Sequence, residues 1–542
     1  MMKNKKTTGL FLVVLIAISF AFKQSPFFEI AKQIEIYNTL FKELNINYIN
    51  EINPGDLTDK SIKNTLKNLD PYTNFFNEQD VEDAQIRREG EYGGIGIATF
   101  YDKNGITVSE VYEGFSGDKA GLKAGDIIFN VNNQNLEGLE REQLSSILKG
   151  IPGKKLALKV NRNGTTLDIN LQLDKVVINP VPFSNMIDTE TGYIVLTRFN
   201  AIASSEVKKA FLSLKEKGMK KLVLDLRGNL GGSLRESINI VNFFVPKGSK
   251  VVETRGKTQA NSSTYRGNKA PLDLEIPIVV LINGRSASAS EIVSGALQDY
   301  DRAVILGERS FGKGLVQRYF PLSYGTQAKI TISKYYTPSG RCIQELDYGN
   351  RDSKTGEVPK FSDGTVNKFT TTNGRPVYDG GGVTPDIKIE RTKKTAATEN
   401  LIKSRAIFHF STDYLAKNNA VSIENYTFSN TDFNQFKNYL LTQDTTFVTK
   451  QERLFKEAYS SVEKNGFISS DYEKIQQKLK QEKVAEIAKN QDVLSEILQN
   501  EILEQKFYKK GMYKHHLTFD ETIKEAVKIL NNASQMNTIL SK

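Results

Sequence analysis

Ile276-Pro277-Ile278-Val279-Val280-Leu281-Ile282-Asn283-Gly284-Arg285-Ser286-Ala287-Ser288-Ala289-Ser290-Glu291-Ile292-Val293-Ser294-Gly295-Ala296-Leu297 reads as a strand, a tight turn and a helix. The run 276–282 has no charge and no polar alternation. That is how a strand covered on both faces is written, since a half-wetted strand would alternate. Similar β runs at 193–199, 221–228 and 303–308 are separated by amphipathic helical runs at 207–218 and 233–245. Strand and helix in alternation predict a mainly parallel sheet with helices packed on it, an α/β layer spanning 175–390.

The chain has 542 residues, room for three or four domains at about 150 residues each. With 39 % hydrophobic and 25 % charged residues it has enough apolar material to fold. Lys3, Lys5 and Lys6 precede an uncharged stretch at 9–22, too short for an ordinary membrane span. Residues 1–22 are therefore expected to be an export signal, with Ser19-Phe20-Ala21 as a cleavage site, or an uncleaved membrane anchor. Residues 25–88 read as a helical arm with apolar residues at helical spacing (Phe28, Ile30, Ile34, Ile36, Leu40). Short strands split by glycines fill 89–174, and the pattern from 391 to 542 is long and helical.

Several classes of function are excluded or made poor by composition. The net charge of +10 is interleaved rather than gathered on one segment, so no nucleic-acid partner is expected. Cys342 is the single cysteine, which rules out an intrachain disulfide or a thiolate metal cluster. The three histidines, His409, His515 and His516, all lie in the last quarter, so catalysis in the first 400 residues cannot use one. The adjacent pair His515-His516 directs its side chains apart on a helix and reads as a surface feature, not a metal site. Neither metal nor cofactor is expected.

A serine at a strand-to-helix junction presents its hydroxyl outward, and the next backbone N–H sits at the positive end of a helix, where it can donate to an oxyanion. Ser286, Ser288 and Ser290 all compete for that role, and Ser288 with Glu291 also fits a simple capping box. Further on, Phe311-Gly312-Lys313-Gly314-Leu315-Val316-Gln317 offers a lysine between glycines and a glutamine four residues later. Residues four apart can share a face on a helix or a strand, so Gln317 is expected to reach Lys313. With no histidine at hand, a neutral lysine amine is the plausible base for a serine hydroxyl. That requires its pKa to fall from about 10.4 to roughly 7–8, on the order of 4 kcal/mol of environment. A third element, Asp225-Leu226-Arg227-Gly228-Asn229-Leu230-Gly231-Gly232, ends a strand and could supply a second oxyanion N–H.

In the β-rich segment, the turn Gly93-Gly94-Ile95-Gly96-Ile97 aims successive N–H groups into one concavity, a cradle for a carboxylate. Downstream, Leu144, Ile147 and Leu148 line one helix face. Together with Ala120-Gly121-Leu122-Lys123-Ala124-Gly125-Asp126-Ile127-Ile128, this arrangement closely resembles a PDZ domain. Gly94, Ile95, Gly96, Ile97, Leu144, Ile147 and Leu148 are then its expected peptide-binding residues.

From about Leu69 to Glu390 the chain resembles the carboxyl-terminal processing proteases, also called tail-specific proteases. The matching segments run in order: LDPYT, the PDZ segment, DLRGNLGG, SASASEI, QDYDRA, FGKGLVQ, KYYTPSGRCIQ and GGVTPDI. The resemblance implies a serine endopeptidase with Ser288, Lys313 and Gln317 as its catalytic apparatus, selecting the middle serine. It implies an oxyanion hole from Ala289 and one of Gly231 and Gly232. Asp299 in QDYDRA occupies a family position linked to site integrity; the plainer reading is that it only caps the helix or pairs with Arg302. The expected fold is multi-domain α+β: a helical N-terminal arm, a β-rich PDZ module ahead of an α/β protease core, and a helical C-terminal domain. Expected partners are polypeptides with free apolar C-termini, with a membrane tether at residues 9–22 and a homo-oligomer through the helical terminal regions as further options. The expected location is the cell envelope or periplasm. The rival from another class is a noncatalytic PDZ adaptor of the envelope.

Overall fold

The computed structural model describes residues 26–541 apart from 103, 365, 391, 419 and 463–468. The expected signal or anchor at 1–22 lies outside the described residues. Among those residues no helix is long and apolar enough to cross a membrane. Two compact units divide the chain at Phe75 and Phe76. The first contains helices Pro26–Asn47 and Pro54–Lys67. Asn53 caps the second, its side chain accepting from the N–H groups of Gly55 and Asp56, and Pro54 fills the first helical position, where no N–H is needed. Phe28, Ile30, Ile34 and Leu40 on the longer helix are more than half exposed.

In the second unit, a six-stranded antiparallel sheet builds the β-rich module: Ile97–Asp102, Gly105–Val111, Ile127–Val131, Lys155–Arg162 and Thr165–Gln172 in order, with the short strand Gln134–Asn135 paired on Ile127–Val131. Lys155–Arg162 alternates exposed and buried positions as a one-sided strand must. Asn163 and Gly164, both at positive φ, close its hairpin. Helix Arg141–Ile147 packs beside the first strand. A two-stranded ladder, Glu91–Gly94 with Asp174–Val177, joins the module to the next.

The central sheet runs in the order Phe183–Met186, Thr191–Val195, Lys221–Asp225, Ile278–Ile282, Val304–Gly307, Ile387–Lys388. Only the first pair is antiparallel. All five residues of Ile278–Ile282 are buried, and they divide by alternation. Ile278, Val280 and Ile282 enter a core with helices Ala203–Glu216, Leu234–Asn242 and Ala289–Asp299. Val279 and Leu281 point the other way, into a second core with Ile523, Ala526, Ile529 and Leu530 of helix Glu521–Leu530. The second cover that the apolar strand demands thus comes from the far end of the chain. After strand Ile387–Lys388 the described elements are all helices, starting with Ala396–Lys403, but the helical tail is not self-contained: its last helices complete the α/β core, while its earlier ones form their own cluster around Phe410, Phe433, Phe436 and Leu498.

Candidate active site

Strand Ile278–Ile282 runs out at Asn283, whose side-chain oxygen accepts from Gly228 N–H (3.0 Å) and Arg285 N–H (3.1 Å). The serine turn is thereby tied to the neighbouring glycine turn. The Ser286 hydroxyl donates to the Leu226 carbonyl and the Ser290 hydroxyl to the Asn229 carbonyl, each at 2.8 Å, and both residues are fully buried. Ser288 is half-buried and takes φ 56°, ψ −111°, outside the ordinary regions for a side-chain-bearing residue. Such a conformation costs about 1–3 kcal/mol and must be enforced by its surroundings. Helix Ala289–Asp299 begins at the next residue, so Ala289 carries its first N–H.

The glycine turn lies directly against this serine. A Cβ on Gly231 would fall 2.8 Å from the Ser288 Cβ and 2.7 Å from the Ala287 carbonyl, and the residue has φ +98°, so only glycine fits. Asn229 laces the two turns: its carbonyl also accepts from Ala287 N–H (3.0 Å), while its side chain donates to Leu196 and accepts from Gly231 N–H (2.9 Å). The Gly231 N–H therefore already has an acceptor within its own turn.

Glu291 was legible only as a cap partner; in the fold it joins the two halves of the site. Its fully buried carboxylate accepts from Ser288 N–H (2.7 Å) and Lys313 N–H (2.9 Å) through the same oxygen. The other oxygen accepts from Gly312 N–H (2.7 Å) and the Ser310 hydroxyl (2.6 Å). The Ser288 and Lys313 backbones are thus two hydrogen-bond lengths apart through one atom. Burial pushes the Glu291 carboxyl up to about 7, although all four donors favour its ionised form. A Cβ on Gly312 would lie 2.7 Å from the Glu345 Cβ, which accounts for this glycine beside the half-buried Lys313 by close approach.

Lys313 is in a loop ahead of strand Leu315–Pro321, which carries Gln317, and a register shift falls between Val316 and Gln317. The Gln317 amide nitrogen donates to Thr331 Oγ1 at 3.2 Å. Asp299 pairs with Arg341 (2.8 Å), both nearly fully buried, and not with Arg302, which donates to the carbonyls of Phe244, Ile276 and Asp273.

In the β-rich module, Gly94 ends the joining ladder, Ile95 and Gly96 form the turn, and Ile97 opens the first strand. That strand terminates the sheet path, so its outer edge has no strand partner among the described residues. Leu144 and Leu148 are 2 % and 7 % exposed and, with Ile95 and Ile97, belong to the module's core; Ile147 is half-buried at its margin. The three-and-four spacing had marked the face that packs inward. His515 and His516 are not surface residues either: His515 is buried against the Tyr426 carbonyl, and His516 bonds Asn500. Burial pushes the His516 imidazole down to about 4.

The "Peptidase family S41" profile matches residues 190–349, "PDZ domain" residues 83–161, and "Probable PDZ-protease, C-terminal helical domain" residues 397–530. A "Carboxy-terminal-processing protease" of Bartonella bacilliformis is 33 % identical over 319 residues, covering 58 % of this chain and 73 % of that protein. A "Probable CtpA-like serine protease" of Staphylococcus aureus is 30 % identical over 379 residues, covering 67 % and 75 %. Among solved structures, a photosystem II D1 C-terminal processing protease aligns at 26 % identity and TM-score 0.36, covering 65 % of this chain and 86 % of that one.

Proposed function

This chain belongs to peptidase family S41 and is a serine-type peptidase carrying a PDZ domain, and on that premise we propose that Ser288 and Lys313 cleave peptide bonds near C-terminal tails held by the PDZ domain. Ser288 Oγ attacks the scissile carbonyl carbon while the Lys313 amine takes its proton. The oxyanion is held by the N–H of Ala289 and one from the glycine turn; because Gly231 N–H is already engaged, Gly232 is the better second donor. Lys313 then returns the proton to the leaving amine, and water releases the acyl group by the same steps in reverse order of roles. Gln317, on strand Leu315–Pro321, acts on the lysine by orienting its amine.

The observation that carries this reading is the separation of the three serines. Two hydroxyls are committed to backbone carbonyls, and the third belongs to a strained, half-buried residue beside a glycine turn, sharing a carboxylate oxygen with Lys313. Tail capture is supported by the free edge of Ile97–Asp102 beside helix Arg141–Ile147, the arrangement that strand addition uses. Digestion of casein and of tagged peptides tests both parts. Ser288→Ala and Lys313→Ala are each expected to reduce turnover by about 10³-fold or more; turnover equal to wild type would sink the assignment and favour the adaptor reading. Amidating the peptide's C-terminus should raise KM if the tail is what the PDZ domain holds.

The basic start and apolar stretch at 9–22 support export to the cell envelope, with that segment removed or retained as a tether. Sequencing the N-terminus of envelope-fraction protein distinguishes the two. Recovery only in the cytosol, starting at Met1, overturns export.

A further inference from the structure

The glycine turn that faces Ser288 is anchored from below by a residue of the C-terminal helices. Arg227 follows strand Lys221–Asp225 immediately after Leu226, and its guanidinium spans two carboxylates. Its Nε and one terminal nitrogen grip Asp225 at 3.0 and 2.7 Å. The other terminal nitrogen meets Asp520 Oδ2 at 2.7 Å. The three side chains are 13 %, 4 % and 9 % exposed, so none of these charges can fall back on bulk water. Asp520 divides its work between its two oxygens. Oδ1 caps helix Glu521–Leu530 by accepting from Thr522 and Ile523 N–H (2.8 and 3.2 Å), while Oδ2 is given to Arg227.

We propose that Asp520 is a positioning residue for the peptidase reaction: by completing the acceptor set of Arg227 it fixes the turn 227–232 that supplies an oxyanion N–H beside Ser288. This rests on the catalytic reading above. The turn has two kinds of tether. On the serine side, Gly228 and Asn229 are bonded to Asn283, Ala287 and Ser290. On the sheet side, the Arg227 backbone N–H and side chain are bonded to Asp225, and the side chain to Asp520. Losing Asp520 leaves one arm of a buried guanidinium without its acceptor, and the side chain must turn toward another, dragging the start of the turn with it. An oxyanion donor acts on charge that develops in the transition state, so displacement of about 1 Å lowers kcat and leaves substrate binding alone.

The two oxygens allow a clean test. Asp520→Ser keeps a good helix cap but cannot reach Arg227, and Asp520→Asn serves as a second, isosteric variant. Asn531→Ala is the structural control, since it cuts another tie between the same helices and the sheet, the bond from Lys221 Nζ at 2.8 Å. Peptide hydrolysis is measured per folded molecule, with Ser288→Ala alongside. The expected result is a kcat lowered about tenfold or more in Asp520→Ser and Asp520→Asn with KM within about twofold, and near wild-type kcat in Asn531→Ala. A kcat within twofold of wild type, a rise in KM alone, an equal loss in Asn531→Ala, or failure of both Asp520 variants to fold overturns the proposal. Activity retained by Ser288→Ala would instead overturn the catalytic assignment, so the two failures are told apart.

Discussion

The C-terminal helices meet the rest of the second unit at two seats built on opposite principles. Against the central sheet, Ile523, Ala526 and Ile529 are fully buried on Val223, Val279, Leu281 and Leu306. One ion pair, Arg227 with Asp520, sits at the edge. Against the PDZ domain the contact is mostly polar. Lys509 bonds both oxygens of Glu110 at 2.6 Å, Tyr508 donates to Asp118 at 2.6 Å, and one aromatic pair, Phe100 with Phe408 (centroids 5.2 Å apart), lies under Arg405. Beside them is a cavity of about 980 Å³ lined by both partners, including Lys123, Arg162, Thr412 and Glu501. One helix, Gln491–Phe519, serves both seats, and its backbone breaks at Phe507 and Tyr508 to do so. A dry apolar seat opens only with the loss of its buried area, whereas a polar seat can exchange protein partners for water at little net cost. The PDZ seat is thus the separable one.

The largest effect should come from carving the dry seat. Ile523→Ala removes a fully buried side chain from a core shared by two parts of the chain, and is expected to cost about 2–5 kcal/mol in urea unfolding. Phe100→Ala removes a larger ring from the wetter seat, yet is expected to cost less than half as much, since Phe100 is only partly buried. Reversal of that order would break the comparison.

This contrast also explains what could be read before folding. The uncharged run 276–282 announced a strand covered on both faces, and its alternate residues do divide between two cores. Nothing local says which segment provides the second cover, because hydrophobic burial is non-directional and its partner lies more than 240 residues away. The same limit applies to Leu144 and Leu148: periodicity finds an apolar face but not what it packs on, and both side chains belong to the PDZ domain's own core cluster. Glu291 stood in the right place for a cap, but three of its four donors come from 310–313 and depend on tertiary approach. The serine run, Lys313 and the glycine turn stood out as candidates because they put unusual residue types into short motifs, although the choice of Ser288 among three serines came only with the family resemblance. Asp520 was not, since a carboxylate at a helix start is ordinary.

A smaller effect follows from removing the cation of the PDZ seat. Lys509 is about one-third exposed, and it faces Glu110 on strand Gly105–Val111 as well as Glu504 on its own helix. Lys509→Ala leaves these carboxylates opposed with no cation between them. After allowance for solvent screening, about 1–2 kcal/mol of seat stability should be lost. Hydrogen exchange should quicken in Gly105–Val111 and near Asp118 while the strands of the central sheet keep their protection. Equal acceleration in both would mean that the two seats open as one.

The smallest expected effect is a pH slope confined to that seat. Burial, with Glu110 and Glu501 nearby, pushes the Glu504 carboxyl up to about 7 against the opposing pull of Lys509. An unfolded or undocked Glu504 returns toward its ordinary value of 4.5. Between those values the docked state holds more protons than the undocked one, so its stability falls as pH rises. The contribution is fully present below 4.5 and is lost as pH passes through about 7. Docking should therefore weaken from pH 5 to pH 8, and Glu504→Gln should flatten most of that slope, leaving the part due to Glu501, which burial also raises. Glu291 titrates in the same direction near the same pH within the active site, so global unfolding would mix the two. The measurement that separates them is exchange at Gly105–Val111, wild type minus Glu504→Gln at each pH. A difference that is flat with pH would show that this carboxylate keeps its ordinary charge in the docked state, and that the PDZ seat is polar without being tunable.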